Sequence, residues 1–195
     1  MILASLAGLG LAGPALATDS FSYSYVELGW INSEIDDLNA DGDGFGIRGS
    51  MEFTPSLHAF ASYSDQDFDL GAGVDATGET MELGLGYAWT LSPKLDVVGR
   101  LSYTDISVDV NVSGFTGSAD DSGLGVGGYL RGSPTERLEL TGGLDFVDYD
   151  ESGSDTAFGV GARFFFTKSF AAGADVSFND DGTTYMLGGR FSFRQ

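Results

Sequence analysis

The stretch Met81-Glu82-Leu83-Gly84-Leu85-Gly86-Tyr87-Ala88-Trp89 decides the fold. Its large apolar side chains fall on every second residue, and between them stand Glu82, Gly84, Gly86 and Ala88. A period of two belongs to an extended strand, whose successive side chains leave on opposite faces; a helix would return to one face every three or four residues. The same split recurs outward in both directions. Phe45, Ile47, Gly49, Met51 and Phe53 alternate with Gly44, Gly46, Arg48, Ser50 and Glu52, and Phe158, Val160, Ala162, Phe164 and Phe166 alternate with Gly159, Gly161 and Arg163. The alternation predicts ten strands, over 21–33, 43–53, 57–68, 79–90, 95–108, 121–131, 138–150, 154–166, 170–178 and 183–193.

The connections alternate too. Thr54-Pro55-Ser56, Leu91-Ser92-Pro93-Lys94, Ser133-Pro134-Thr135-Glu136-Arg137 and Thr167-Lys168-Ser169 are short, and three carry a proline at a turn position. The others, 34–42, 69–78, 109–120, 151–153 and 179–182, are mostly longer and rich in Asp, Gly and Asn. One end of the sheet is therefore expected to have tight turns and the other acidic loops.

Composition narrows the function. The 195 residues carry 29 acidic against 9 basic side chains, a formal charge of −20, which argues against nucleic acid as a partner because phosphate neutralisation needs clustered Lys and Arg. No cysteine means no disulfide, thiol catalysis or Cys-ligated metal, and one histidine leaves little room for imidazole chemistry. Disorder is excluded by an apolar share of 42%, with 13% aromatic.

Periodicity alone does not say which face is inside, but the two sets differ in size. One is Leu, Phe, Tyr, Trp, Met and Val; the other is Gly, Ala and Ser punctuated by Glu27, Arg48, Glu52, Glu82, Asp96, Arg100, Arg131, Glu139, Asp145, Arg163, Asp175 and Arg190. Ten strands close around a narrow interior that suits small residues and paired charges, so the large set is expected to point out, with Tyr23, Trp30, Phe53, Tyr87, Trp89, Phe164, Phe166 and Phe193 near its rims. An outward apolar band is soluble only in a bilayer, and closure satisfies every backbone group there. The fold class expected is all-β: a closed antiparallel up-and-down transmembrane β-barrel of ten strands, with eight as the alternative. Charge agrees, since 22 of the 29 acids lie in or beside the long-loop segments and none of the nine basic residues does. In outer-membrane barrels long loops face outside and short turns the periplasm, so the acidic end is expected outside.

Residues 2–17 are uncharged and end in Ala15-Leu16-Ala17, the small-x-small form read by signal peptidase. A cleaved leader over 1–17 and a barrel over 18–195 are expected.

From Phe21-Ser22-Tyr23-Ser24-Tyr25-Val26-Glu27-Leu28-Gly29-Trp30 through Asp41-Gly42-Asp43-Gly44-Phe45-Gly46-Ile47-Arg48 to Leu57-His58-Ala59-Phe60, the chain resembles the small outer-membrane β-barrel proteins of Gram-negative bacteria, the OmpA-like transmembrane-barrel superfamily. The resemblance implies location and fold far more than activity. It also implies the barrel-assembly machinery as a partner.

The twelve inward charges are the leading candidate site. Buried charges must pair, so they form either a salt-bridge plug or a charged, porin-like constriction. Asp37-x-Asn39-x-Asp41-Gly42 matches the first half of a calcium loop, but Arg48 stands where the bidentate Glu belongs, so an acidic turn is the favoured reading and no metal is assigned. His58 opens a strand at the short-turn end, opposite the acid cluster, so no enzyme and no cofactor is expected. The function expected is a structural or surface-interaction barrel with acidic extracellular loops; the alternative is a small channel with an Arg/carboxylate-lined lumen. Partners expected are outer-membrane lipids and lipopolysaccharide, with divalent cations intervening between the like charges, and the chain is expected to be a monomer.

Overall fold

The computed structural model describes residues 21–35, 40–71, 74–112 and 115–193. Ten strands form a closed barrel: β1 (Tyr25–Ile35), β2 (Ala40–Glu52), β3 (Leu57–Asp69), β4 (Val74–Ser92), β5 (Leu95–Val112), β6 (Phe115–Thr135), β7 (Leu138–Tyr149), β8 (Gly153–Phe165), β9 (Phe170–Asn179) and β10 (Gly182–Ser192). Each strand pairs antiparallel with its neighbours in sequence, and β1 closes onto β10 with Tyr25 opposite Ser192 and Ile35 opposite Gly182. The expected leader, residues 1–17, lies outside the described residues.

The alternating pattern sorts as the residue sizes require. Leu28, Leu85, Leu101, Leu144 and Leu187 stand exposed on the outer wall, more than half of each accessible. Leu85 sits directly opposite Leu101 across β4 and β5, which makes the band continuous from strand to strand. Aromatic pairs edge the band at the short-turn end: Tyr87 with Trp89 at 4.8 Å, Phe164 with Phe166 at 5.4 Å and Phe191 with Phe193 at 5.2 Å between ring centroids. An apolar surface of this extent needs hydrocarbon around it.

The interior departs from the expected rule of small residues and charges alone. Tyr25, Ile31, Phe60 and Met186 are buried inside, and Tyr129 is half-buried there. Glycine opposite them makes the room. A side chain at Gly84 would strike the Phe60 ring, and one at Gly86 would strike the His58 imidazole.

Several strand boundaries differ from the sequence expectation, β2 starting at Ala40 and β6 running on to Thr135 among them. The first strand begins at Tyr25 and not at residue 21, because residues 21–24 turn in across the short-turn end, where Tyr23 and Ser24 are buried. Tyr23 is thus a plug residue and not a member of the outer aromatic rim. At the other end, much of the loops expected at 69–78 and 109–120 is strand. β4, β5 and β6 run for 19, 18 and 21 residues, and β5 pairs with β6 up to Val112 opposite Phe115. The register of β6 with β7 begins only at Gly123 opposite Tyr149. The barrel therefore carries a tall wall on one side, and above Ser122 the β7-facing edge of β6 has no strand partner among the described residues. The seven residues 115–121 make that edge roughly 23 Å long.

Candidate functional site

Register brings the inward charges together. Glu27 of β1 stands beside Arg190 of β10 on one side and Arg48 of β2 on the other. Its carboxylate accepts from Arg190 Nη2 at 2.8 Å and Nε at 3.1 Å, and from Arg163 Nε at 3.1 Å. Arg163 also donates to Asp175 at 2.9 Å, and Asp175 accepts weakly from Arg48 at 3.5 Å. On the other flank Arg190 Nη1 donates to Glu139 at 3.0 Å, and Glu139 accepts from Arg131 at 2.7 Å. One chain of ion pairs thus spans the lumen, linking seven of the ten strands. Glu27, Glu139, Arg163 and Arg190 are each at most 5% exposed, so the inner charges are desolvated and answered by charge-assisted hydrogen bonds, whereas Arg48 and Asp175 at the end of the chain are partly solvated.

Below this layer the N-terminal segment closes the short-turn end. The Ser22 carbonyl accepts from both terminal nitrogens of Arg131 at 3.1 Å, and the Tyr23 amide donates to Glu52 Oε2 at 3.1 Å. Arg131 lies 4.5 Å over the Tyr23 ring and 4.9 Å over that of Phe21, a cation over two π faces. The Tyr23 hydroxyl donates to Asp96 at 2.9 Å, and burial pushes its pKa above the ordinary phenol value, which keeps the proton in place. His58, 1% exposed, stacks on Tyr23 with ring centroids 4.5 Å apart. Neither of its ring nitrogens has a hydrogen-bond partner among the described residues. His58 therefore packs as an aromatic plate and does not make the hydrogen bonds that a lumen histidine ordinarily makes.

Above the ion pairs the lumen widens into a cavity of about 330 Å³, lined among others by Arg48, Phe60, Glu82, Arg100, Tyr129 and Asp145. Arg100 is held by rings and not by carboxylates: its guanidinium lies 4.6 Å from the Phe60 centroid and 4.5 Å from that of Tyr129, and its Nε is buried without a partner.

Nine of the twelve charges expected inside line this cavity or its floor, and Glu27, Glu52 and Asp96 lie below it. The pairing is not uniform. Seven of them, Glu27, Arg48, Arg131, Glu139, Arg163, Asp175 and Arg190, make the continuous network, whereas Asp96 takes a tyrosine hydroxyl and Arg100 takes two aromatic faces. The aromatic layer of Tyr23, Tyr25, Phe60 and Tyr129 was not foreseen as part of the site. Tyr23 and Tyr25 share the parity of Glu27, so an inward face was available for both from the alternation; the departure of residues 21–24 from the barrel wall was not. Of the calcium-like loop, Asp37 and Asn39 lie outside the described residues, and Asp41 is a β2 residue opposite Asp69 and Glu34. Among the described residues no group of three or more ligating side chains is placed to hold a metal.

The family model described as "Outer membrane protein beta-barrel domain" matches residues 2–188. Among solved structures, the attachment invasion locus protein Ail of Yersinia pestis, in complex with the heparin analogue sucrose octasulfate, aligns at 14% identity with a TM-score of 0.50, covering 87% of this chain and 97% of that one. The N-terminal β-barrel domain of Pseudomonas aeruginosa OprF aligns at 16% identity and a TM-score of 0.49, covering 89% and 100%. The KdgM porin, in complex with disordered oligogalacturonate, aligns at 10% identity and a TM-score of 0.47, covering 87% and 99%. At these identities the likeness is one of fold. No curated protein matches the sequence.

Proposed function

The chain belongs to the outer-membrane protein β-barrel domain family and lies in the bacterial outer membrane, and on that premise we propose that it is a structural and surface-interaction barrel rather than a conduit. The short turns face the periplasm, and the acidic wall of β4–β6 stands outside as the surface that meets partners. The observation that carries this reading is the unbroken chain of ion pairs from Arg131 through Glu139, Arg190, Glu27 and Arg163 to Asp175, which fills the lumen above a second seal formed by residues 21–24. Opening a path would break several desolvated pairs together, at several kcal/mol.

The free edge of β6 and the acids beside it give the outer surface its recognition chemistry: unpaired backbone groups for an added strand, and negative charge for a basic partner. Lipopolysaccharide and the surrounding lipids contact the band, with divalent cations between phosphates and the acidic rim, and the barrel acts as a monomer. The lone His58 packs on a ring at the turn end, in line with a role without catalysis.

The second reading is a small channel, favoured by the open cavity of about 330 Å³ above the network. Conductance of the protein in a planar bilayer separates the two, with Arg131→Ala and Arg100→Ala beside it and folding confirmed by a heat-dependent gel shift. The structural reading expects a folded barrel without discrete steps, and expects Arg131→Ala, which removes one closing pair, to give any leak first. Steady steps in the unaltered protein that change with Arg100→Ala would establish the channel instead.

A further inference from the structure

We propose that the lumen cavity above the ion-pair network is a blind binding site for a small dipolar solute, one carrying an ammonium and a carboxylate separated by a few carbons. The inference does not rest on what the outer wall binds. None of the ion pairs among the described residues involves Arg100, Glu82 or Asp145, although all three line the same cavity. Glu82 accepts only a long hydrogen bond, 3.4 Å, from Ser62, and Asp145 makes none among the described residues. Arg100 lies over the Phe60 and Tyr129 rings, which hold the guanidinium in place and leave its N–H groups without a carboxylate among the described residues, free to meet a planar anion. The cavity therefore holds a cation and two carboxylates that do not satisfy one another, next to a network in which every other pair is made.

Register sets their spacing. Arg100, Gly127 and Asp145 are successive cross-strand neighbours on β5, β6 and β7, so the two backbones lie roughly 10 Å apart, with the Asp145 carboxylate and the edge of the Tyr129 ring over Gly127 between them. A carboxylate on Arg100 and an ammonium on Asp145 and Glu82 would answer all three groups. The Phe60 and Tyr129 rings would meet the carbons between. A simple anion would satisfy Arg100 while adding charge beside two carboxylates, and a simple cation would leave Arg100 unanswered. Charge at the mouth acts in the same direction: the loop end is acidic, which repels a net anion and leaves a net-neutral solute unopposed. A volume of about 330 Å³ is at the small end for ligand sites and suits a solute of this size.

The test uses protein purified from outer membranes in detergent, titrated with ω-amino acids from glycine to 6-aminohexanoate, and with butyrate and butylamine as single-charge analogues, read by saturation-transfer NMR and calorimetry. At least one chain length is expected to bind about tenfold tighter than either analogue. Arg100→Gln and Asp145→Asn are each expected to weaken it by about the same factor, while Asp109→Asn on the outer wall leaves it unchanged. Should Arg100→Gln fail the heat-shift check for folding, Asp145→Asn and the ligand series decide alone. Absence of saturable binding by every ω-amino acid, equal binding of the single-charge analogues, or indifference to Asp145→Asn would each overturn the proposal.

Discussion

Glu27 shows how a charge can be both costly and indispensable in this barrel. Its carboxylate is 2% exposed and serves two guanidinium groups at once. Replacing it by Gln leaves Arg163 and Arg190 buried beside a neutral amide. Breaking such a pair from one side costs about 3–5 kcal/mol, whereas the intact pair adds little beyond an apolar replacement. Glu27→Gln is therefore expected to lower stability by that amount in a denaturant titration of the detergent-folded barrel, and Glu136→Gln in an exposed turn to leave it nearly unchanged. Gly86 makes a second residue-scale case. A methyl there would meet the His58 ring, which has Tyr23 stacked on it and cannot retreat freely. Gly86→Ala is expected to cost about 1–3 kcal/mol, as overpacking does, and the cost should shrink when His58→Ala is added. Additive losses in the double variant would show that the two side chains do not meet.

The tall β4–β6 wall is an element held from one side, so its contacts with the lower rim matter. Asp121 of β6 accepts from the Ser152 amide at 2.8 Å, from the Glu151 amide at 3.2 Å and from the Ser152 hydroxyl, tying the β7–β8 turn to the wall. These hydrogen bonds, the Ser152 hydroxyl foremost, hold the Asp121 carboxyl below its usual range. A depressed folded pKa means that the tie is present above the ordinary carboxylate range and is lost as pH falls through the folded value. Asp121→Ala is expected to speed proteolysis at residues 150–152 at neutral pH, and acid is expected to do the same to the unaltered chain. Equal cleavage in both proteins at neutral pH would remove Asp121 from this role. The wall was also where the sequence reading fell short. Residues 74–78 and 115–120 are rich in Gly, Asp, Ser and Thr and read as loop, whereas over 109–112 the alternation of Ile106 and Val108 continues through Val110 and Val112 and the strand was legible there. They are strand because they pair with each other above the membrane, where no face has to be apolar and the ladder itself supplies the order.

At the scale of the whole molecule, the count of ten strands and the assignment of faces followed from one physical fact. A narrow barrel in hydrocarbon must put large apolar residues out and small or paired polar ones in, and Met81–Trp89 already displays that division. The twelve inward charges were legible for the same reason. Their pairing was not, because Arg48 meets Asp175 and Glu27 meets Arg163 from strands that are not neighbours and lie far apart in sequence, and alternation carries no information about which inward residues touch. The departure of residues 21–24 from the wall was also hidden, since Tyr23 continues the period of Tyr25 and Glu27, which gives its inward face but no sign that the chain leaves the sheet to close the turn end.

Among the described residues the lumen holds a cavity on the loop side of the ion-pair network and a seal at the turn end, and the absence of cysteine makes the two directly distinguishable with single engineered thiols. Ser62 lines the cavity, and Ser192 lies buried below the ion-pair network. Intact cells carrying Ser62→Cys or Ser192→Cys would be treated with a small, cationic, membrane-impermeant methanethiosulfonate, with the denatured proteins as controls for complete reaction. The structure leads us to expect Ser62→Cys to react from outside while Ser192→Cys does not. Comparable reaction at Ser192→Cys, or none at Ser62→Cys, would contradict it.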